Sequence, residues 1–146
     1  MSALECAKLL MASRLAHLAC AEGSRPYVVP IYYAYVHHHL YGFSMPGRKV
    51  DCMRRNPNVC VQVDECGKGV EWKSVVVQGR YQELDDSPEL IQEREHAWRL
   101  LSKIPIWWEP GSLKLVEQAP EIADHYDHVF FRVLVDEITG REARYS

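Results

Sequence analysis

A chain of 146 residues with 47% hydrophobic and 25% charged residues has the composition of one globular domain, residues 1–146, with enough surface to bury a sizeable core. Its net charge of −3 argues against broad nucleic-acid contact, which draws on a basic face. No apolar run nears the ~20 residues of a membrane span and no signal peptide opens the chain; the five cysteines include no C-x-x-C pair, which excludes a disulfide framework or zinc knuckle and suits a reducing cytoplasm.

Residues 3–12 read as a short helix with Leu9, Leu10 and Met11 on its apolar side. Leu15 to Ala21 follows as a strand, Glu22 to Arg25 as a turn, and Pro26 to Val36, rich in Val, Ile and Tyr, as a second strand. His37-His38-His39 falls at the next reversal, where a hairpin turn exposes it, and Leu40 to Met45 returns as a third strand. Gly47 to Asn56 carries Val50 and Met53 at helical spacing and is stopped by Pro57. Asn58 to Asp64 alternates Val59, Val61 and Val63 with Cys60 and Gln62, the period of a half-buried strand.

After the turn Cys66-Gly67-Lys68-Gly69 comes a long strand, Glu71 to Leu84, whose Val75-Val76-Val77 run predicts burial on both faces. Ser87 is placed to cap a helix with Pro88 at its first position. One face of that helix runs through Leu90, Ile91, Arg94, Ala97, Trp98 and Leu101, and the helix ends near Lys103. Ile104 to Gly111 is irregular and carries Trp107-Trp108; Val129 to Ile138 is the last clear strand. Five or six strands with short helices between them predict a small, mainly β, antiparallel barrel rather than an alternating βαβ sheet.

The segment Phe43-Ser44-Met45-Pro46-Gly47-Arg48-Lys49 gathers a hydroxyl, a glycine and two cations where a strand ends and a helix begins. A helix start offers unpaired N–H donors and the positive end of the dipole, and Arg48 and Lys49 add formal charge. Together they form a phosphate seat for a phosphorylated cofactor or ligand.

The landmarks then fall in a recognisable order. Ser13-Arg14-Leu15-Ala16-His17-Leu18-Ala19 comes first, followed by Arg25-Pro26-Tyr27-Val28-Val29-Pro30-Ile31-Tyr32-Tyr33. The phosphate segment follows, and after it Arg55-Asn56-Pro57-Asn58-Val59-Cys60 and Trp72-Lys73-Ser74-Val75-Val76-Val77-Gln78-Gly79. In this order and spacing, across about residues 8–85, the chain resembles the flavin-binding split-barrel proteins related to pyridoxamine 5′-phosphate oxidase, and among them the branch containing nitroimidazole-resistance proteins.

The resemblance implies a homodimer of split β-barrels with FMN at the subunit interface. Ser44, Gly47, Arg48 and Lys49 match the phosphate site, with Lys49 the direct charge and Arg48 turned to it, to solvent or to the partner chain. Val29, Pro30, Ile31 and Tyr32 match the stretch along the isoalloxazine ring, and Trp72 and Ser74 the strand that closes the site. Ser13 stands where members of this branch often have glycine before the arginine, and Phe43 where they often have histidine before the serine, so no catalytic residue is assigned.

Other candidates are weaker. Consecutive His37, His38 and His39 point apart, and no set of four converging ligands is evident, so no metal site is expected. His125 and His128, beside Asp124 and Asp127, read as a polar surface, whereas Trp107 and Trp108 would either cover the ligand or form dimer contact. The leading expectation is an FMN-dependent oxidoreductase reducing a small organic substrate with a nicotinamide donor. A non-catalytic flavin carrier, sensor or stress protein needs the same seat, and relatives of the fold hold haem or a deazaflavin instead.

Overall fold

The computed structural model describes residues 1–103 and 129–145. They form α1 (Ala3–Ala12), β1 (Leu15–Glu22), β2 (Arg25–Val36), β3 (His39–Ser44), α2 (Arg48–Arg55), β4 (Asn58–Cys66), β5 (Trp72–Leu84), α3 (Ile91–Leu101) and β6 (Val129–Ala143). Every strand pairing is antiparallel, and the order β1-β2-β3-β6-β5-β4 closes into a barrel. Trp107, Trp108, His125 and His128 lie outside the described residues, as does the segment expected to be irregular.

Strand alternation builds the core. Ala16, Leu18 and Cys20 of β1, Val59, Val61 and Val63 of β4, and Val75 and Val77 of β5 are all buried, because successive side chains take opposite faces of a strand. The same rule corrects the expected double-sided burial of Val75-Val76-Val77. Val76 turns to the outer face, paired with Gln62 and only half-buried. Gly42 on β3 is dictated by close approach: a Cβ there would sit 2.5 Å from the ring of Phe131, itself a core residue.

The helices are held by specific contacts. In α1 a capping box of Ser2 and Glu5 opens the helix, and the buried stripe is Cys6, Leu9 and Leu10. Met11, expected on that side, is 61% exposed, since one more residue rotates it about 100° past Leu10. The Tyr33 hydroxyl donates to the Leu10 carbonyl at 2.7 Å, satisfying one of the carbonyls that a helix end leaves unpaired. Arg54 of α2 grips Glu83 of β5 through Nε at 2.8 Å and Nη2 at 3.1 Å.

α3 begins at Ile91, later than the expected start at Pro88. Asp85 Oδ1 accepts the Ser87 N–H at 3.0 Å, and residues 88–90 form a turn before the helix, so Ser87 does not cap it. Beneath α3 lies a second apolar cluster of Tyr41, Phe43, Leu84, Ala97, Leu101 and Phe130. Glu93 Oε2 accepts from the Tyr41 hydroxyl at 3.1 Å and from Arg132 Nη1 at 3.2 Å, tying the helix to β3 and β6. β6 continues past the expected end at Ile138 to Ala143 because Trp72 and Lys73 of β5 still pair with it.

Only two of the three histidines lie in the turn. His37 and His38 have φ of 50° and 62° and form the two-residue connection between β2 and β3, both exposed. His39 opens β3 instead, half-buried and opposite Leu134. Burial holds its imidazole pKa below the usual value, and the nearby Arg132 charge adds to the effect.

Candidate functional site

The barrel wall opens between β2 and β3. Residues Arg25 to Tyr32 of β2 pair with β1 along one edge, whereas pairing with β3 begins only at Tyr33 opposite Gly42. Beyond that point β3 runs through Phe43 and Ser44 against β6. Among the described residues no strand pairs with the second edge of Val28 to Tyr32. Alternate backbone N–H and C=O groups there are available to a planar polar ligand.

The phosphate segment leaves this split directly. Ser44, the last residue of β3, is buried, and its Oγ donates to the Met45 carbonyl at 2.8 Å. Gly47 then stands at the N-cap of α2, where no side chain accepts the first helical N–H groups. That leaves the donors and the positive helix end for an anion.

The two cations beside it diverge. Lys49 turns inward, half-buried near Cys20, with no ion-pair or hydrogen-bond partner among the described residues. Burial lowers its ammonium pKa, a cost that a bound anion would offset. Cys20, in turn, is pushed up to about 12 by burial and by the neighbouring Cys52 sulfur, so it remains a thiol. Arg48 turns outward, its guanidinium 4.7 Å from the centroid of the Tyr27 ring and 3.9 Å from Glu22.

The outer face of β1, β2, β4 and β5 adjoins the split along β2. Pairing places Leu15 beside Tyr32, His17 beside Pro30 and Ala19 beside Val28, with the inward residues between them. His17 Nδ1 lies 3.4 Å from Gln62 Oε1, and Gln62 Nε2 donates to Ser74 Oγ at 3.1 Å, a polar line across three strands. Pro30, Tyr32, Ser74 and the 42%-exposed Trp72 therefore share one outer face. Ile31 does not: it is 2% exposed in the core, and Val29 also turns inward opposite Leu18; in step with Tyr33, whose N–H donates to the Arg14 carbonyl, both turn their backbone groups to β1, so the free edge carries those of Val28 and Tyr32 and the Pro30 carbonyl. His17, Gln62, Leu15 and Val28 join the face without having been singled out from the sequence. For His17 the alternation of Leu15-Ala16-His17-Leu18 was the available signal.

Fold and site together define a split barrel with an uncapped helix start and a half-buried lysine directly after β3. The family model described as pyridoxamine 5′-phosphate oxidase matches residues 2–142, and the chain belongs to that family. An uncharacterized protein, RA0666 of Rhizobium meliloti (strain 1021), is 52% identical over 143 residues, which span 98% of this chain and 93% of that protein. A FAD-binding protein of Mesorhizobium loti, mll6688, is 54% identical in its crystal structure, with a TM-score of 0.80 over 99% of this chain and 96% of that one. The resemblance to the nitroimidazole-resistance branch is met at the level of the fold. A Bacteroides thetaiotaomicron protein provisionally assigned to 5-nitroimidazole antibiotic resistance shares the fold at a TM-score of 0.75 and 20% identity, over 95% of this chain and 82% of that one.

Proposed function

We propose that this protein is a flavin-dependent oxidoreductase that reduces a small organic substrate with a nicotinamide donor. The FMN moiety, common to FMN and FAD, would be held in the split. The observation that carries the reading is Lys49: a half-buried cation without a partner among the described residues, at the uncapped start of the helix that follows β3. Ser44, Gly47, Lys49 and the first N–H groups of α2 suit the phosphate, with Arg48 adding charge from outside. The backbone groups of Tyr32 and the Pro30 carbonyl suit the polar edge of the ring, the side chains of Pro30, Tyr32, Trp72 and Ser74 its flanks, and Val29 and Ile31 back this edge from the core side. The FAD-binding relative supports the same class of ligand.

A bound flavin would supply hydride transfer; the protein's part is to orient the ring, hold the phosphate and limit solvent. The exposed apolar residues on the adjoining face, Leu15 at 48% and Val28 at 61%, favour a second copy of the chain as its cover, giving a two-fold dimer that completes the site. Five free cysteines support a cytoplasmic setting, and among the described residues no helix is long and apolar enough to cross a membrane.

The test is the absorption spectrum of the purified protein, then NAD(P)H oxidation with and without a nitroaromatic acceptor. Flavin absorbance with acceptor-dependent turnover is expected. Bound flavin with no turnover across a broad acceptor panel would make the protein a flavin carrier or sensor; no flavin binding at all would reject the site.

A further inference from the structure

The side-chain line from His17 through Gln62 to Ser74 has a direction. His17 and Gln62 face each other across β1 and β4, and Gln62 lies opposite Val76 of β5, which offers it no polar atom. The Gln62 amide reaches diagonally to Ser74 instead, a span that a long side chain can cover. An amide has donors at one end and an acceptor at the other, so each partner fixes the role of the next. Gln62 Nε2 donates to Ser74 Oγ at 3.1 Å, which leaves Gln62 Oε1 to accept from His17 Nδ1 at 3.4 Å. The neutral His17 ring therefore carries its proton on Nδ1. Ser74 Oγ, already receiving a proton from Gln62, keeps its own O–H for another acceptor. Asp64 and Arg141 stand directly opposite Ser74 on β4 and β6, and among the described residues neither is hydrogen-bonded to it.

Folding alone does not account for the line. His17 is exposed, Gln62 and Ser74 are half-buried, and hydrogen bonds made where water competes add little net stability. Pro30 and Ser74 both flank the ring in the flavin reading, and in the sheet His17 and Gln62 occupy the two strands between them. We propose that His17 and Gln62 are positioning residues that commit the Ser74 hydroxyl to donate to an acceptor of the flavin ring, and that this contact favours the reduced ring. The inference rests on the flavin reading above and brings in two residues to which that reading gives no part. A donor aimed at a ring atom that gains negative charge on reduction holds the reduced form more tightly than the oxidised one, because hydrogen bonds to charged acceptors are the stronger kind.

Midpoint potentials of the FMN-loaded full chain, measured against reference dyes, test the assignment. Ser74→Ala and Gln62→Leu should each lower the potential by about 30 mV, a tenfold loss of preference for the reduced ring in a two-electron couple. His17→Leu should shift it in the same direction, and His17→Asn, which keeps a side-chain N–H for Gln62, should restore it. Adding Gln62→Leu to Ser74→Ala should cause no further shift, because both changes act through one hydroxyl. Additive shifts, an unchanged potential in Gln62→Leu, or a His17→Asn variant that behaves as His17→Leu would each overturn the assignment. Nitrogen-15 NMR of the flavin-free chain gives a readout that loss of FMN from a variant does not obscure: neutral His17 should carry its proton on Nδ1, and a proton on Nε2 would overturn the proposal. A flavin-loaded chain whose potential ignores Ser74→Ala overturns this inference alone. A wild-type chain that takes up no FMN, evident from its absorption spectrum before any potential is measured, overturns the flavin reading with it.

Discussion

Lys49→Met separates the phosphate assignment from a merely structural role for Lys49. Methionine keeps a long apolar stem in the half-buried slot but removes the ammonium, whose pKa is already lowered by burial. Loss of a charge-assisted contact to phosphate should cost about 1.5–3 kcal/mol, or roughly 10- to 150-fold in FMN affinity. Riboflavin has the ring without the phosphate and should bind the variant as it binds the wild type. A domain of this size gains about 2–4 °C in Tm per kcal/mol, so the stabilisation at a fixed excess of FMN should shrink by roughly 3–12 °C.

The ligand-free protein should respond in the opposite direction. Removing a desolvated cation that has no partner among the described residues relieves a cost of folding, so its Tm should rise. Differential scanning fluorimetry with no ligand, riboflavin or FMN reads all three effects in one experiment. Equal loss of FMN and riboflavin binding would refute the phosphate contact. A lower Tm without ligand would show that the ammonium has a stabilising partner in the folded state.

Four further outcomes follow from the geometry. Light scattering should report twice the 16.9 kDa chain mass at micromolar concentration, and Val28→Glu, which places a charge on the proposed dimer face, should shift it toward the single-chain mass; a wild-type monomer that binds flavin at full stoichiometry would reject the shared site. Tyr33→Phe leaves the Leu10 carbonyl without its donor and should cost about 1–3 kcal/mol in chemical denaturation, whereas a change under 0.5 kcal/mol would mean water replaces the hydroxyl. His38→Gly should stabilise the protein by a few tenths to about 1 kcal/mol, because the connecting turn holds this residue at φ 62°, where glycine carries no Cβ penalty; unchanged or lower stability would show that the side chain contributes more than the strain costs. His39 has a folded pKa below its ordinary 6.5, so its contribution is fully present above that pH and is lost as pH falls through the folded value; His39→Asn should flatten the stability decline between pH 7 and pH 5, and identical declines would reject His39 as a source.

The elements of this fold were legible because their signals are local. The alternation of Val59, Val61 and Val63 and the Pro57 stop after α2 each lie within a few residues of what they specify. The strand-to-helix junction from Ser44 to Lys49 was legible for the same reason, since the residues that end β3 and open α2 are adjacent in the chain. Ordered motifs over about residues 8–85 carried the family resemblance further than any one of them could. What remained hidden depends on which strand lies beside which. The open edge of β2 exists because β3 joins it only from Tyr33 onward, a register set by two chain segments and by the close approach of Gly42 to Phe131. The inward turn of Val29 and Ile31 follows from the pairing of β2 with β1, and the line from His17 through Gln62 to Ser74 from the pairing of β4 with β1 and β5. Sequence determines which residues can bind a phosphate or fill a core; only the closed sheet decides which of them face the same space, because strand register is a long-range property and a shift of one residue reverses every side chain.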